Sequence, residues 1–228
     1  MPSDPSAVAT SFPTLFATIN GSMTRTRLLP LLALLALALF ATLAARGNAT
    51  CVLVLGDSIG AALGVPQERG WVSLLTEQLA DCPVVNASIS GETTEGGKAR
   101  LPLLLAEHRP RVVVLELGGN DGLRGFPPAA IRANLARMIA DARDAGARVL
   151  LLGMRIPPNY GPRYTAAFHA LYHDLAAQDG TALVPFLLEG IATDPALMQT
   201  DGIHPNADAQ PLILANVLPV LSAMVRDG

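Results

Sequence analysis

A serine hydroxyl attacks a carbonyl only when a neighbouring base takes its proton during the attack. Ser58, in Gly56-Asp57-Ser58-Ile59-Gly60, follows a short apolar run and stands in a turn that would display its hydroxyl. By itself, Gly-Asp-Ser is also a common loop tripeptide. Of the four histidines, His204 lies in a segment, Asp201-Gly202-Ile203-His204-Pro205, that could return to the same place. In a tight turn, the three-residue step from Asp201 to His204 sets a carboxylate against the ring nitrogen that faces away from the serine. That contact fixes the tautomer and stabilises the imidazolium formed during attack. Read singly, Asp-x-x-His could equally be a turn followed by a helix cap. The chain order Ser, Asp, His, with the last two nearly adjacent, carries more weight than either piece.

Acyl transfer also creates an oxyanion, and each preorganised donor aimed at it is worth on the order of 10²–10³ in rate. Gly91, in Ser88-Ile89-Ser90-Gly91, has no side chain and would let its N–H approach a bound ester closely. Asn120, in Gly118-Gly119-Asn120-Asp121, offers a neutral amide donor, and the Ser58 N–H would be a third. Taken one at a time, the glycines also read as turn formers and Asn120 as a partner for backbone groups. His169 and His173 stand four residues apart, a helical spacing that can bind zinc. No Glu follows His169 in the metalloprotease pattern and no third ligand is evident, so they read as partly exposed helix residues and no metal site is expected.

These loops need a scaffold that brings them to one edge. Residues 51–55, 84–87, 111–117, 148–152 and 181–184 are short apolar runs that read as strands, and runs apolar on both faces indicate a parallel sheet covered on both sides. Helical periodicity fills the intervals at 70–80, 97–108, 128–145 and 164–178, with a last helix near 207–225. In the third, Ile131, Leu135, Met138, Ile139 and Ala142 recur at three- and four-residue steps, and Gly146 follows as a C-cap. The alternation predicts an α/β fold, a three-layer α/β/α sandwich with right-handed crossovers. In such sheets ligands sit at the carboxyl ends of the strands, where the Ser58, Gly91 and Asn120 loops fall. The flanking loops 122–128 and 156–162 contain Leu123, Phe126, Ile156, Pro157 and Tyr160, which are expected to wall a groove for an acyl chain.

A chain of 228 residues allows one ordinary α/β domain. A net charge of −3 with only 15% charged residues offers no basic surface for a nucleic-acid backbone. Much of the 50% hydrophobic content lies in residues 28–45, Leu- and Ala-rich and uncharged, after Met23-Thr24-Arg25-Thr26-Arg27 and before Gly47-Asn48-Ala49. That is the layout of a signal peptide. Residues 1–49 are thus expected to be an N-terminal extension plus leader, with translation starting at Met23 and cleavage after Ala49, and residues 50–228 to be the domain. The apolar run of roughly 18 residues approaches membrane-crossing length, so an uncleaved anchor competes with this reading. Cleavage is expected, and with it no stable membrane anchor. Export would place Cys51 and Cys82 in an oxidising compartment. Each begins an expected strand; if those strands are neighbours the two can bridge, and otherwise they are buried thiols.

Together, the four loops resemble the sequence blocks of the SGNH, or GDSL, hydrolase superfamily. The likeness is carried by Val54-Leu55-Gly56-Asp57-Ser58-Ile59, Val85-Asn86-Ala87-Ser88-Ile89-Ser90-Gly91-Glu92-Thr93, Glu116-Leu117-Gly118-Gly119-Asn120-Asp121-Gly122-Leu123-Arg124-Gly125 and Asp201-Gly202-Ile203-His204-Pro205-Asn206. It extends over nearly all of residues 50–220 and departs from the family pattern at none of the functional positions. The resemblance implies Ser58 as nucleophile, Ser58, Gly91 and Asn120 as oxyanion donors, and Asp201 with His204 as the acid/base pair. It also implies a flavodoxin-like fold with a five-stranded sheet of order 2-1-3-4-5, which makes the first two strands neighbours and so supports a Cys51–Cys82 bridge. The implied activity is cofactor-free hydrolysis of small acyl esters, thioesters or lysophospholipids by a periplasmic or secreted protein, expected to be a monomer. Asp57 and Asp121 are expected to hold the serine and asparagine loops through backbone hydrogen bonds. Two rivals remain. Gly56-Asp57-Ser58-Ile59-Gly60 also satisfies the α/β-hydrolase pattern G-x-S-x-G, although there the nucleophile follows a central strand after a long N-terminal portion. A non-catalytic flavodoxin-like binder could use residues 91–97 as an anion loop, although such a loop should follow the first strand.

Overall fold

Five aliphatic runs form the strands β1 (Val52–Gly56), β2 (Val84–Asn86), β3 (Val112–Glu116), β4 (Arg148–Leu152) and β5 (Thr181–Val184). The computed structural model describes residues 50–177 and 181–226, so the expected leader and the expected start at Met23 lie outside the described residues. All strand pairs are parallel, in the order β2-β1-β3-β4-β5 expected. Every residue of β1 and of β3 is buried, because both strands lie in the interior of the sheet with helices on either face, whereas the edge strands β2 and β5 are largely half-exposed.

The helices are α1 (Trp71–Gln78), α2 (Thr94–His108), α3 (Gly119–Leu123), α4 (Pro128–Asp144), α5 (Pro162–Ala176) and α6 (Gln210–Arg226). α2, α4 and α5 pack in succession on one side of the sheet, and α1 packs with α6 on the other. The apolar stripe read in α4 is its buried face. Pro127 and Pro128 start that helix, where a missing N–H costs nothing.

Departures from the expected boundaries have local causes. α2 starts three residues early, because the Thr93 hydroxyl caps the Gly96 N–H at 3.3 Å and the Asp121 carboxylate takes the Thr94 N–H at 2.9 Å. Those partners offset the poor helix propensity of Gly96 and Gly97. α6 starts late, because Asn206 Oδ1 accepts the Asp208 and Ala209 N–H groups at 3.0 and 3.2 Å and holds that stretch as a turn. α3 is a helical turn in a segment that reads as loop; Gly118, at φ +114°, makes the entry to it.

Cys51 and Cys82 are joined by a disulfide, with Cα atoms 5.1 Å apart. It lies at the amino ends of β1 and β2, opposite the loops that follow those strands. β2 pairs over only three positions, Val84, Val85 and Asn86, so the covalent tie holds the weakest strand of the sheet. Replacing both cysteines by serine should lower the unfolding free energy by about 3 kcal/mol, read from the urea midpoint. Turnover by the folded protein should be unchanged, because the bridge is at the far end of the sheet.

Candidate active site

In a sheet of order 2-1-3-4-5 the chain leaves β1 and β3 toward opposite faces, and the crevice opens where these two strands end. Ser58 lies two residues beyond β1 and Asn120 four beyond β3. The Ser58 Oγ is 2.9 Å from His204 Nε2, and His204 Nδ1 is 2.6 Å from Asp201 Oδ2. Three side chains separated by up to 146 positions thus form one hydrogen-bonded line.

The turn carrying Asp201 and His204 is built to hold that line. Asp201 Oδ1 accepts the N–H groups of Ile203 and His204 at 2.9 and 3.0 Å, and Gly202 sits at φ +67°. The Gln199 N–H donates to the His204 carbonyl at 2.7 Å, and Met198 bridges Pro205. These donors lower the Asp201 carboxyl to about 2, the His204 N–H first, then the His204 ring and the Ile203 N–H. An ionised Asp201 keeps the proton on Nδ1, which leaves Nε2 with the lone pair that Ser58 needs.

The three donors expected beside the Ser58 hydroxyl differ in how far they are engaged. Among the described residues, neither the Ser58 N–H nor the Gly91 N–H has an intramolecular acceptor. Gly91 is at φ +80° with open space around its Cα, so the conformation requires glycine, rather than close packing. It does not line the cavity beside Ser58, whereas Asn120 does. Both Nδ2 hydrogens of Asn120 are engaged, with Asp57 Oδ2 at 3.1 Å and the Glu92 carbonyl at 3.0 Å. Asn120 can serve an oxyanion only by sharing or releasing one of them.

Asp57 holds the serine loop, its Oδ1 accepting the Ile59 N–H at 3.2 Å. Burial, the largest influence, raises its carboxyl, against the opposing pull of the Ile59 N–H, Glu116, His204 and Asn120. Asp121 acts between loops instead of within its own. Its two oxygens take the Thr94 N–H at 2.9 Å and the Thr94 hydroxyl at 2.6 Å, so the start of α2 is filled by a carboxylate of the same chain. An anion loop at residues 91–97 therefore has no place.

A cavity of about 420 Å³ opens beside Ser58, Asn120 and His204, with Leu123, Ile156 and Pro157 in its wall. Phe126 and Tyr160 are not in the wall. They are 42% and 37% exposed, and their segment is braced from outside. The Tyr160 hydroxyl donates to the Leu123 carbonyl at 2.7 Å, and that of Tyr164 to the Phe126 carbonyl at 2.6 Å. Further along the wall stand Met154, Phe186, Leu188, Met198 and Ile203, with Arg155 among them, none of which the sequence singles out. The signal available was position alone: apolar residues just beyond β4 and β5 and inside the Asp201–His204 turn. His169 and His173 stand on α5 with Nε2 atoms 3.3 Å apart, and neither lines the cavity.

Residues 54–211 match the GDSL-like lipase/acylhydrolase family. The chain belongs to this family. It is a GDSL/SGNH hydrolase of the esterase/thioesterase class, and its sheet order, with Ser58 after the first strand, excludes the α/β-hydrolase alternative. It is 56% identical over 184 residues to "Esterase TesA" of Pseudomonas aeruginosa, covering 79% of this chain and 92% of the relative. It is 48% identical over 166 residues to "Thioesterase 1/protease 1/lysophospholipase L1" of Escherichia coli, covering 72% and 80%. The crystal structure of esterase EstA from Pseudoalteromonas sp., inhibited by monoethylphosphonate, superposes with a TM-score of 0.74 at 40% identity, covering 78% of this chain and 99% of that one.

The depressed Asp201 carboxyl links folding to pH. Because its folded value of about 2 lies below the ordinary 3.8, the stability it contributes is complete above the ordinary value and is lost as pH falls through about 2. The wild type should accordingly melt above Asp201→Asn at pH 5, and the gap should close toward pH 2, as followed by circular dichroism.

Proposed function

We propose that Ser58, His204 and Asp201 are the catalytic triad of a two-step acyl transfer. The observation that carries this is the continuous line from Ser58 Oγ to His204 Nε2 at 2.9 Å and from His204 Nδ1 to Asp201 Oδ2 at 2.6 Å. His204 takes the Ser58 proton as Oγ adds to the carbonyl carbon. The oxyanion is received by the Ser58 and Gly91 N–H groups, joined by Asn120 once its amide releases a partner. Collapse expels the alcohol or thiol, which takes the proton from His204. A water, deprotonated by His204, then cleaves the acyl-enzyme to free acid and Ser58. Every proton is handled by this chain and the water, and no cofactor enters.

The substrates proposed are small carboxylic esters and thioesters with an apolar acyl part, lysophospholipids among them. The cavity wall of Leu123, Met154, Ile156, Phe186, Leu188 and Met198 supports an apolar acyl group, and the names of the relatives support both leaving groups. Export to the periplasm or medium is proposed as well, with residues 1–49 as extension and leader and residues 50–228 as the hydrolase domain. The Cys51–Cys82 disulfide supports an oxidising destination. Among the described residues no helix is long and apolar enough to cross a membrane.

The decisive test is fluorophosphonate labelling together with a panel of p-nitrophenyl and acyl-CoA substrates. The wild type should label stoichiometrically and Ser58→Ala should neither label nor turn over above roughly 10⁻³ of the wild-type rate; full hydrolysis by the alanine variant overturns the mechanism. On the same panel, Ile156→Ala should move the preference toward longer or bulkier acyl groups and Ile156→Trp toward shorter ones. An unchanged chain-length profile in both would remove Ile156 from the acyl site.

A further inference from the structure

Glu116 is a charged residue type in a place that cannot hold a charge cheaply. It is the last residue of β3, paired in register with Gly56, and it is fully buried. Its Oε2 accepts the Asp57 N–H at 3.1 Å and the Gly60 N–H at 2.9 Å, one on each side of Ser58. No lysine, arginine or histidine pairs with it among the described residues. The nearby titratable group is another acid, Asp57, and burial above all, then the Asp57 charge, push the Glu116 carboxyl well up. Burial and the neighbouring acid thus both favour its protonated form.

The glycines of the motif explain how the carboxyl gets there. A Cβ on Gly56 or on Gly60 would overlap Glu116 Oε2 and the Ser88 hydroxyl. The motif thus opens a notch beneath the serine turn, and the notch is filled by a side chain reaching across from the adjacent strand. Gly56 and Gly60 have ordinary reasons for being in a turn, but neither has a positive φ, so conformation does not require them. Space does.

We propose that Glu116 is the positioning residue of the nucleophile loop: by holding the N–H groups on both sides of Ser58, it sets where the Ser58 hydroxyl and the Ser58 N–H stand. This rests on Ser58 being the nucleophile. Glu116 touches no reacting atom, and its effect passes through the backbone of residues 57–60.

The test compares Glu116→Gln, Glu116→Leu and Gly60→Ala in the full chain, reading kcat and KM on a p-nitrophenyl ester, the fluorophosphonate labelling rate and the melting temperature. Glu116→Gln keeps a neutral oxygen acceptor of the same size and should stay within about threefold of wild-type kcat. Glu116→Leu leaves both N–H groups without an acceptor and should lose roughly 10- to 100-fold in kcat and in labelling rate, with KM nearly unchanged. Gly60→Ala keeps the carboxyl but pushes it off the loop, and should show the same split; it carries the test if the leucine variant does not fold. A glutamine variant as impaired as the leucine one overturns the proposal, as does wild-type kcat in Glu116→Leu or in Gly60→Ala. Ser58→Ala separates the two readings: if it still hydrolyses and labels, the nucleophile assignment has failed, and if it is inert, the outcomes at residue 116 bear on Glu116 alone.

Discussion

The parallel pairing of β1 with β3 is the constraint on which the rest of the structure depends. Its register runs from Val52↔Val112 to Gly56↔Glu116, so both strands end together in the interior of a covered sheet. The backbone that continues beyond each end must find hydrogen-bond partners away from water. On the β1 side they come from Asp57 and Glu116, and on the β3 side Asp121 ties the Asn120 turn to the start of α2. The turns that carry Ser58 and Asn120 are thereby held by carboxyl groups from neighbouring positions and strands.

These acids behave differently because their surroundings differ. Asp201 is largely solvated and surrounded by donors, so it stays ionised into strong acid. Glu116 is sealed beneath the serine turn beside another carboxyl, so its protonated form is favoured. An ionised acid favours a proton on the imidazole nitrogen that faces it, and a protonated one avoids a second charge beside Asp57.

Much of this was legible in the sequence. Continuous Val and Leu in β1 and β3 announce interior strands of a parallel sheet, and the three-residue step from Asp201 to His204 announces a turn that returns a carboxylate to its own imidazole. The parts that were not legible depend on partners distant in sequence. Glu116 reads as the polar end of an apolar strand until Gly56 and Gly60 are set against it, 60 and 56 positions away. The start of α2 depends on Asp121, 27 positions away, whereas that of α6 is set locally by the Asn206 turn, which interrupts the helical periodicity. Phe126 and Tyr160 were assigned to the groove by composition, but the direction a loop side chain takes follows from what braces the loop, here the hydroxyls of Tyr160 and Tyr164.

The cavity wall is drawn chiefly from residues after β4 and β5, while the polar groups around Ser58 come from the ends of β1, β2 and β3 and from the turn at 201–204. The two sets meet at the pocket and overlap where Leu123 follows Asn120 and where Ile203 lies between Asp201 and His204. Substitutions among Met154, Ile156, Phe186 and Leu188 can therefore accumulate without disturbing the bonds that arm the serine. A scaffold divided in this way can change diet while keeping its teeth, and in directed evolution the second half of the sheet is where new acyl preferences would be sought.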